Sequence, residues 1–462
     1  MTRLQENDWP PVWKGWLVTF ALLIAFTFSF IDRQVLNLLV GPIQNDLGIS
    51  DTQISFLQGL AFAFTYVAMS VPLGRMVDKF NRVFIMIGGV LVWSATTIAC
   101  GLSSTYTHLL FARFGVGAGE AALSPAAWSI LADYFHPDKL ARPISVYLMG
   151  PYLGAGLAMI AGAEVLDWTR DVDLVTVPLL GEIRPWQATF IAVGLPGVLI
   201  ALMLWMIPEP TRKGRQGAAA EAPAWDRVWQ HLMANKGLYA ALHLGVPFIV
   251  VMLYGLQAWT PTIMVRVFEW DLADAGRTYG VIALVSGSGG VLSGPIIAKW
   301  LVSRGYHDAP MRVAILGACL ATLSLLLVAM QSTSEMALIF IACASFSVTL
   351  PLALITTVMQ EVTPNEMRGV INGLYVVTTN VVGLALGPTL VAVATDYIFQ
   401  DALAVAKSLA LVALIVGPIA VTLFVLGAKP YAHYRRQALS DSVNNSITNK
   451  TEEVDYVQHS RK

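Results

Sequence analysis

The sequence predicts an all-α membrane protein: twelve transmembrane helices in two pseudo-symmetric halves of six. Three observations predict it: composition, recurring apolar stretches, and an echo between the halves. Of 462 residues, 56% are hydrophobic and 13% charged, and the mean hydropathy is +0.63. A soluble domain carries roughly 25% charged residues. The net charge of −1 gives no global field to attract nucleic acid.

A bilayer crossing needs about 20 apolar residues. Stretches of that kind fall near 15–40, 51–74, 84–103, 107–134, 140–163 and 186–207, then 238–264, 273–299, 311–330, 336–360, 367–394 and 402–427. Residues 1–207 and 238–428 therefore form the two halves. The polar interruption 208–237 reads as a linker whose "AWDRVWQHLM" suits a short amphipathic helix on the membrane surface, with Trp225 and Trp229 as anchors. The tail, 429–462, is expected to be cytoplasmic and its polar end disordered. The first span reads as a retained anchor, being too long for the core of a cleaved signal peptide. Cys100, Cys319 and Cys343 sit in apolar runs and read as small buried hydrophobes.

Lys and Arg set the orientation. With the N-terminus inside, 22 of the 29 fall on cytoplasmic segments and four outside: Arg170, Arg184, Arg266 and Arg277. Both termini are thus expected in the cytoplasm and the chain in an inner or plasma membrane. The halves echo each other in "FHPDKLARPISVY" (135–147) and "VTPNEMRGVINGLY" (362–375), and in "GRMVDKFNR" (74–82) and "GPIIAKWLVSRG" (294–305). A parallel six-plus-six repeat is an architecture of secondary transporters, with the substrate site between the halves.

Several motifs resemble the major facilitator superfamily. Gly74, Asp78 and Arg82 match its loop between helices 2 and 3. Arg113, Gly117 and Gly119 match its fourth-helix motif. "GPYLGAG", with Gly150, Pro151, Gly154 and Gly156, resembles its fifth-helix antiporter motif. Lys79 and Asn81 depart from the usual loop, though Asn tolerates the left-handed turn. Within the superfamily, "FIDRQVLNLLVGPIQNDLGISDTQISFLQG" and "ARFGVGAGEAALSPAAWSILADYF" resemble the Spinster family of lipid transporters. That resemblance implies lysophospholipid-like or sphingosine-like cargo.

Charges inside the apolar spans carry the chemistry. Each costs roughly 2.5–3.5 kcal/mol in the bilayer centre, so each needs a partner or a function. Counting about 1.5 Å per residue puts Asp32 on the first span level with Arg113 on the fourth, which predicts an ion pair. Glu120 lies seven residues past Arg113 on the same face, about 10 Å deeper. Burial disfavours a charged carboxylate, so Glu120, with Asp32 and Arg113, is the expected proton-coupling set. Arg33 suits an anionic head, because guanidinium matches phosphate or carboxylate. The second half offers an uncharged wall for substrate: Tyr254, Gln257, Trp259, Ser286, Asn372, Tyr375 and Thr379. His243 reads as a satisfied polar residue, and "LAFAFTY" of the second span as helix packing.

Gly74, Asp78 and Arg82 are expected to form a gating latch, Asp78 pairing with Arg82 near the start of the eleventh span. Gly150, Pro151, Gly154 and Gly156 permit close helix packing and a bend. No Walker loop, no H-E-x-x-H and no Ser/His/Asp set is present, so the chain reads as no enzyme and as needing no cofactor or metal beyond a proton gradient. Charge asymmetry between the halves argues against a channel. The expectation is a monomeric proton-coupled carrier exporting an amphipathic lipid-like substrate by alternating access. A proton-coupled carrier of small organic anions or drugs is the alternative.

Overall fold

The computed structural model describes residues 9–136, 139–177, 181–212, 225–364 and 366–459, with backbone alone over 438–459. Among these residues, eleven helices are long and apolar enough to cross a membrane: Val12–Asn37, Asp51–Lys79, Arg82–Gly101, Arg142–Trp168, Pro185–Trp205, Lys236–Phe268, Leu272–Ser303, Ala309–Val328, Ser334–Val362, Val370–Phe399 and Ala402–Gln437. The expected fourth span is also present, in two pieces, Tyr106–Glu120 and Leu123–Tyr134. Pro125 explains the break: it lacks the N–H that would bond the Ala121 carbonyl four residues back. The break falls directly after Glu120. We number the twelve spans in chain order.

Because each half has six spans, the termini and the linker share one end of the bundle, here the terminal end; the other is the far end. The buried cores hold large side chains in both halves, among them Trp93, Trp186 and Phe190 in the first, and Trp259, Tyr279 and Phe424 in the second. Gly156 on span 5 packs on the Gly280 carbonyl of span 8, where an added Cβ would lie 2.7 Å from that oxygen. Small residues allow this approach across the halves.

Charge holds the far end shut. Arg266 of the second half grips both Asp51 oxygens of the first at 2.8 Å and Gln44 at 2.6 Å. Asp396 accepts from the Thr52 amide and hydroxyl at 2.7 Å, capping the N-terminus of span 2 from the opposite half. Arg277 bonds Glu164 and Asp167, each at 2.7 Å, and Arg170 reaches Asp271 at 3.1 Å. Three of the four arginines assigned outside thus cross between the halves. At the terminal end, Gly74 of span 2 and Gly373 of span 11 meet no atom within 4 Å of an added Cβ. Ion pairs thus bridge the halves at the far end, while these two glycines at the terminal end are uncontacted.

Several expectations change. The helix Val405–His459 continues through the expected disordered tail, and residues 431–459 contain no glycine or proline to stop it. Cys319 and Cys343 are exposed on the bundle wall, and only Cys100 is buried in the protein. An apolar neighbourhood in sequence marks hydrocarbon or core alike. An antiparallel two-stranded hairpin, Val175–Val177 with Gly181–Ile183, interrupts the all-α pattern between spans 5 and 6. The surface helix Trp225–Ala234 is present, burying Val228 and Leu232 and exposing Trp225 and Trp229. Pro137 of the first echoed motif and the linker residues 213–224 lie outside the described residues.

Candidate functional site in the central cavity

Span 1 stops being α-helical at Gln34 and continues as a tighter turn, Val35–Asn37. Span 2 carries a one-turn π-segment at Phe56–Leu60. Both irregularities free backbone carbonyls. Arg113 meets them: it donates to the Leu57 carbonyl at 3.1 Å, the Asp32 carbonyl at 3.3 Å and the Arg33 carbonyl at 3.4 Å, with 0% of its surface exposed. A cation at a helix C-terminus is favourable. The expected Asp32–Arg113 ion pair is therefore corrected: Arg113 holds the main chain of Asp32 and not its carboxylate. Asp32 is buried, its Oδ1 has no hydrogen-bond partner, and its electrostatic neighbours are Glu120, Thr97 and Arg113.

An ion pair joins Arg33 and Glu120, at 2.6 Å, with the carboxylate side chain fully buried. Ser29 donates to the same oxygen, Oε2, at 2.8 Å. The Arg33 guanidinium also lies over three rings: Phe62 at 4.0 Å, Phe30 at 4.3 Å and Tyr66 at 5.6 Å. Phe62 and Tyr66 come from "LAFAFTY", so that stretch belongs to the site as well as to packing. Arg33 Nε and Glu120 Oε1 are buried without partners. The pair is thus neutral overall and half satisfied: one donor and one acceptor remain for something else.

The opposite wall is uncharged. Tyr254 lies within electrostatic reach of Arg33. Gln257 accepts from Gln34 at 2.8 Å, and Gln34 in turn accepts from Asn37, so an amide chain ties spans 1 and 7 above the cavity. Tyr375 meets His243 edge to face at 6.2 Å, and the Thr379 hydroxyl is buried without a partner. Asn372 is half-buried on the same span. The His243 ring nitrogens lie 3.2 and 3.3 Å from the Tyr239 and Ile371 carbonyls, and the neutral ring donates to one of them. Trp259 is a correction: it is 0% exposed and its indole N–H donates to the Pro388 carbonyl at 3.0 Å, so it packs inside the second half and does not line the cavity. The sequence reading missed Ser29, Gln34, Tyr66 and Tyr152, the last two half-exposed in the interior. Uncharged side chains on apolar spans give no signal, because the face they take depends on helix rotation.

The expected latch is also rearranged. Asn81 caps span 3 by accepting from the Phe84 amide at 3.0 Å. Arg82 thereby becomes the first helical residue, and its side chain turns inward to Asp133, Glu209, the Ser129 hydroxyl and the Pro210 carbonyl, with no ion pair to Asp78. Glu209 also accepts from the Arg82 and Val83 amides at 3.1 and 3.2 Å. Arg212 donates to the carbonyls of Val77, Asp78 and Phe80 at the end of span 2. Asp78 itself is exposed. The segment "PEPTR" (208–212) thus straps the loop that contains Gly74, Asp78 and Arg82 within its own half. Gly150 and Gly154 pack on Phe26 and Phe30 of span 1, while Gly156 faces the other half.

The major facilitator superfamily model matches residues 22–388. The chain belongs to that superfamily. Superfamily members similar to this chain include an MFS-type efflux pump of Mycolicibacterium smegmatis, 24% identical over 93% of this chain and 95% of the pump. Protein spinster homolog 3 of Danio rerio is 26% identical over 83% of this chain and 77% of its own length. The fold is also similar to that of a solved bacterial homolog of the human lysosomal transporter Spinster, inward-facing and unoccupied. That comparison has a TM-score of 0.72 and 24% identity, covering 93% of this chain and 98% of the other. This chain is a multi-pass membrane transporter of the superfamily, and it resembles Spinster proteins.

Proposed function

We propose that this protein is a proton-coupled secondary transporter working by alternating access, with an amphipathic, anionic or zwitterionic lipid-like molecule as cargo. One observation carries the reading: the Arg33–Glu120 pair, at 2.6 Å, keeps a buried unpartnered donor and a buried unpartnered acceptor within electrostatic reach of Tyr254 of the other half. An anionic head that binds Arg33 competes with Glu120 for it. A carboxylate that loses its cation in low dielectric is stabilised by taking a proton. Anion and proton then occupy the site together, its net charge unchanged, and both cross when the halves rock. Anion and proton move the same way, so net export occurs where the outward gradient of the lipid exceeds the inward gradient of protons. No cofactor takes part.

Membership of the superfamily supports transport, the likeness to Spinster proteins favours lipid-like cargo, and the likeness to an efflux pump favours export. The terminal end would be cytoplasmic, by the distribution of Lys and Arg, in the inner or plasma membrane, and the carrier would act as a monomer. Gly74, Asp78 and Arg82 would close that end when the far end opens. The hydroxyl and amide groups of Tyr254, Gln257, Tyr375 and Thr379 favour the second reading, a carrier of small organic anions moving with protons.

Proteoliposomes under an imposed pH gradient, containing a pH dye, test both readings. Labelled lysophosphatidylglycerol is one probe and glucarate the other. The expected result is saturable, gradient-dependent movement of lysophosphatidylglycerol with matching proton flux. In Glu120→Gln the movement no longer responds to the gradient. Glucarate movement alone selects the second reading, and full gradient response in Glu120→Gln removes the coupling mechanism.

A further inference from the structure

The ring faces around Arg33 are more than packing. A guanidinium is planar, so its orientation decides where each N–H points. Glu120 takes one edge, through the terminal nitrogen, and the Nε–H edge has no partner. When Glu120 releases Arg33, a single-bonded arginine could turn and follow it. Phe62 and Phe30 lie 4.0 and 4.3 Å from the guanidinium carbon, close enough for their faces to hold the cation after the carboxylate is neutralised.

Both phenylalanines sit where a glycine of a neighbouring span lets the helices approach closely. Gly154 on span 5 faces Phe30: a Cβ there would lie 2.5 Å from the Phe30 Cβ. Gly117 on span 4 faces span 2, where a Cβ would lie 2.5 Å from the Phe62 carbonyl oxygen. Spans 5 and 4 therefore pack closely on the stretches of spans 1 and 2 that bear the two rings.

We propose that Phe30 and Phe62 are positioning residues for the cargo: their faces hold Arg33 so that its free Nε–H edge meets the anionic head, phosphate or carboxylate, while Glu120 carries the proton. The groups facing this cluster are Glu120, Ser29 and Asp32 from its own and neighbouring spans, Arg113, Tyr66, and Tyr254 from the other half. Of these, Glu120 is the one whose charge changes in the proposed cycle, and the rings themselves stay neutral throughout.

The inference rests on the proposed function, and Phe62→Leu tests it by removing the ring face while keeping an apolar side chain. In purified protein with nitrogen-labelled arginine, the Arg33 Nε–H resonance, identified by its loss in Arg33→Lys, is expected to lose its ring-current shift in Phe62→Leu and to keep it in Phe62→Tyr. In proteoliposomes with lysophosphatidylglycerol or glucarate, whichever the wild type carries, Phe62→Leu is expected to raise KM roughly tenfold with kcat within about twofold. Phe62→Tyr restores it. An unmoved resonance, an unchanged KM, or a Phe62→Tyr variant as impaired as Phe62→Leu overturns the proposal while leaving proton coupling intact. A wild type that carries neither probe overturns the proposed function and this inference together.

Discussion

The two walls of the cavity differ in kind. The first half places Asp32, Arg33, Arg113 and Glu120 in its buried interior, each tied into a network of carbonyls, rings and one ion pair. The second half faces them with Tyr254, Gln257, Tyr375 and Thr379, none charged at neutral pH. Sequence repetition made the halves look alike, yet their interiors divide the work. A charge that must change partners needs a rigid surround, whereas the opposing wall need only accommodate varied cargo. The chemistry sits on one half and the shape of the cavity depends on both.

That contrast can be broken most severely at Arg113. Arg113→Met should lower stability by about 1–3 kcal/mol for each buried carbonyl it strands, those of Leu57, Asp32 and Arg33. Thermal unfolding in detergent measures it. A variant as stable as the wild type would mean the charged wall is not a linked unit. Arg33→Lys keeps the charge but loses the planar fork and its ring contacts, so affinity for an anionic probe should fall roughly tenfold with folding unaffected.

The far end offers a gentler challenge. Asp51→Asn weakens the grip of Arg266 and should increase the population open at that end by about fivefold, the range of a partly buried ion pair. Distances between spin labels at Trp168→Cys and Leu403→Cys in a cysteine-free background would report it. Smallest of all is Thr379→Val on the neutral wall. The hydroxyl is buried without a partner in the empty protein, so stability should hold or rise by about 1 kcal/mol. KM for the carried probe should increase only about threefold. A Thr379 effect as large as that of Arg33 would erase the distinction between the walls.

Much of this was legible without coordinates. Apolar length alone located all twelve spans, and the cost of charge in hydrocarbon singled out Asp32, Arg33, Arg113 and Glu120. Partner choice was not legible. Depth counting put Asp32 level with Arg113, and the two residues do meet, but through a carbonyl freed where span 1 tightens after Gln34. Arg82 likewise left Asp78 for Asp133 and Glu209 once Asn81 had capped span 3. Trp259 and Tyr66 exchanged expected places because a neutral aromatic carries no cost that betrays its face.

The amino-acid sequence determined that this chain enters a membrane, how many times it crosses, and which few side chains cannot be idle there. Those are consequences of transfer energies, which belong to residues one at a time. Tertiary structure alone decided that Glu120 bonds Arg33, that two rings hold the guanidinium, and that outer arginines close the far end. Such matters depend on helix rotation, on small breaks that release carbonyls, and on distances of a few ångströms between spans far apart in the chain.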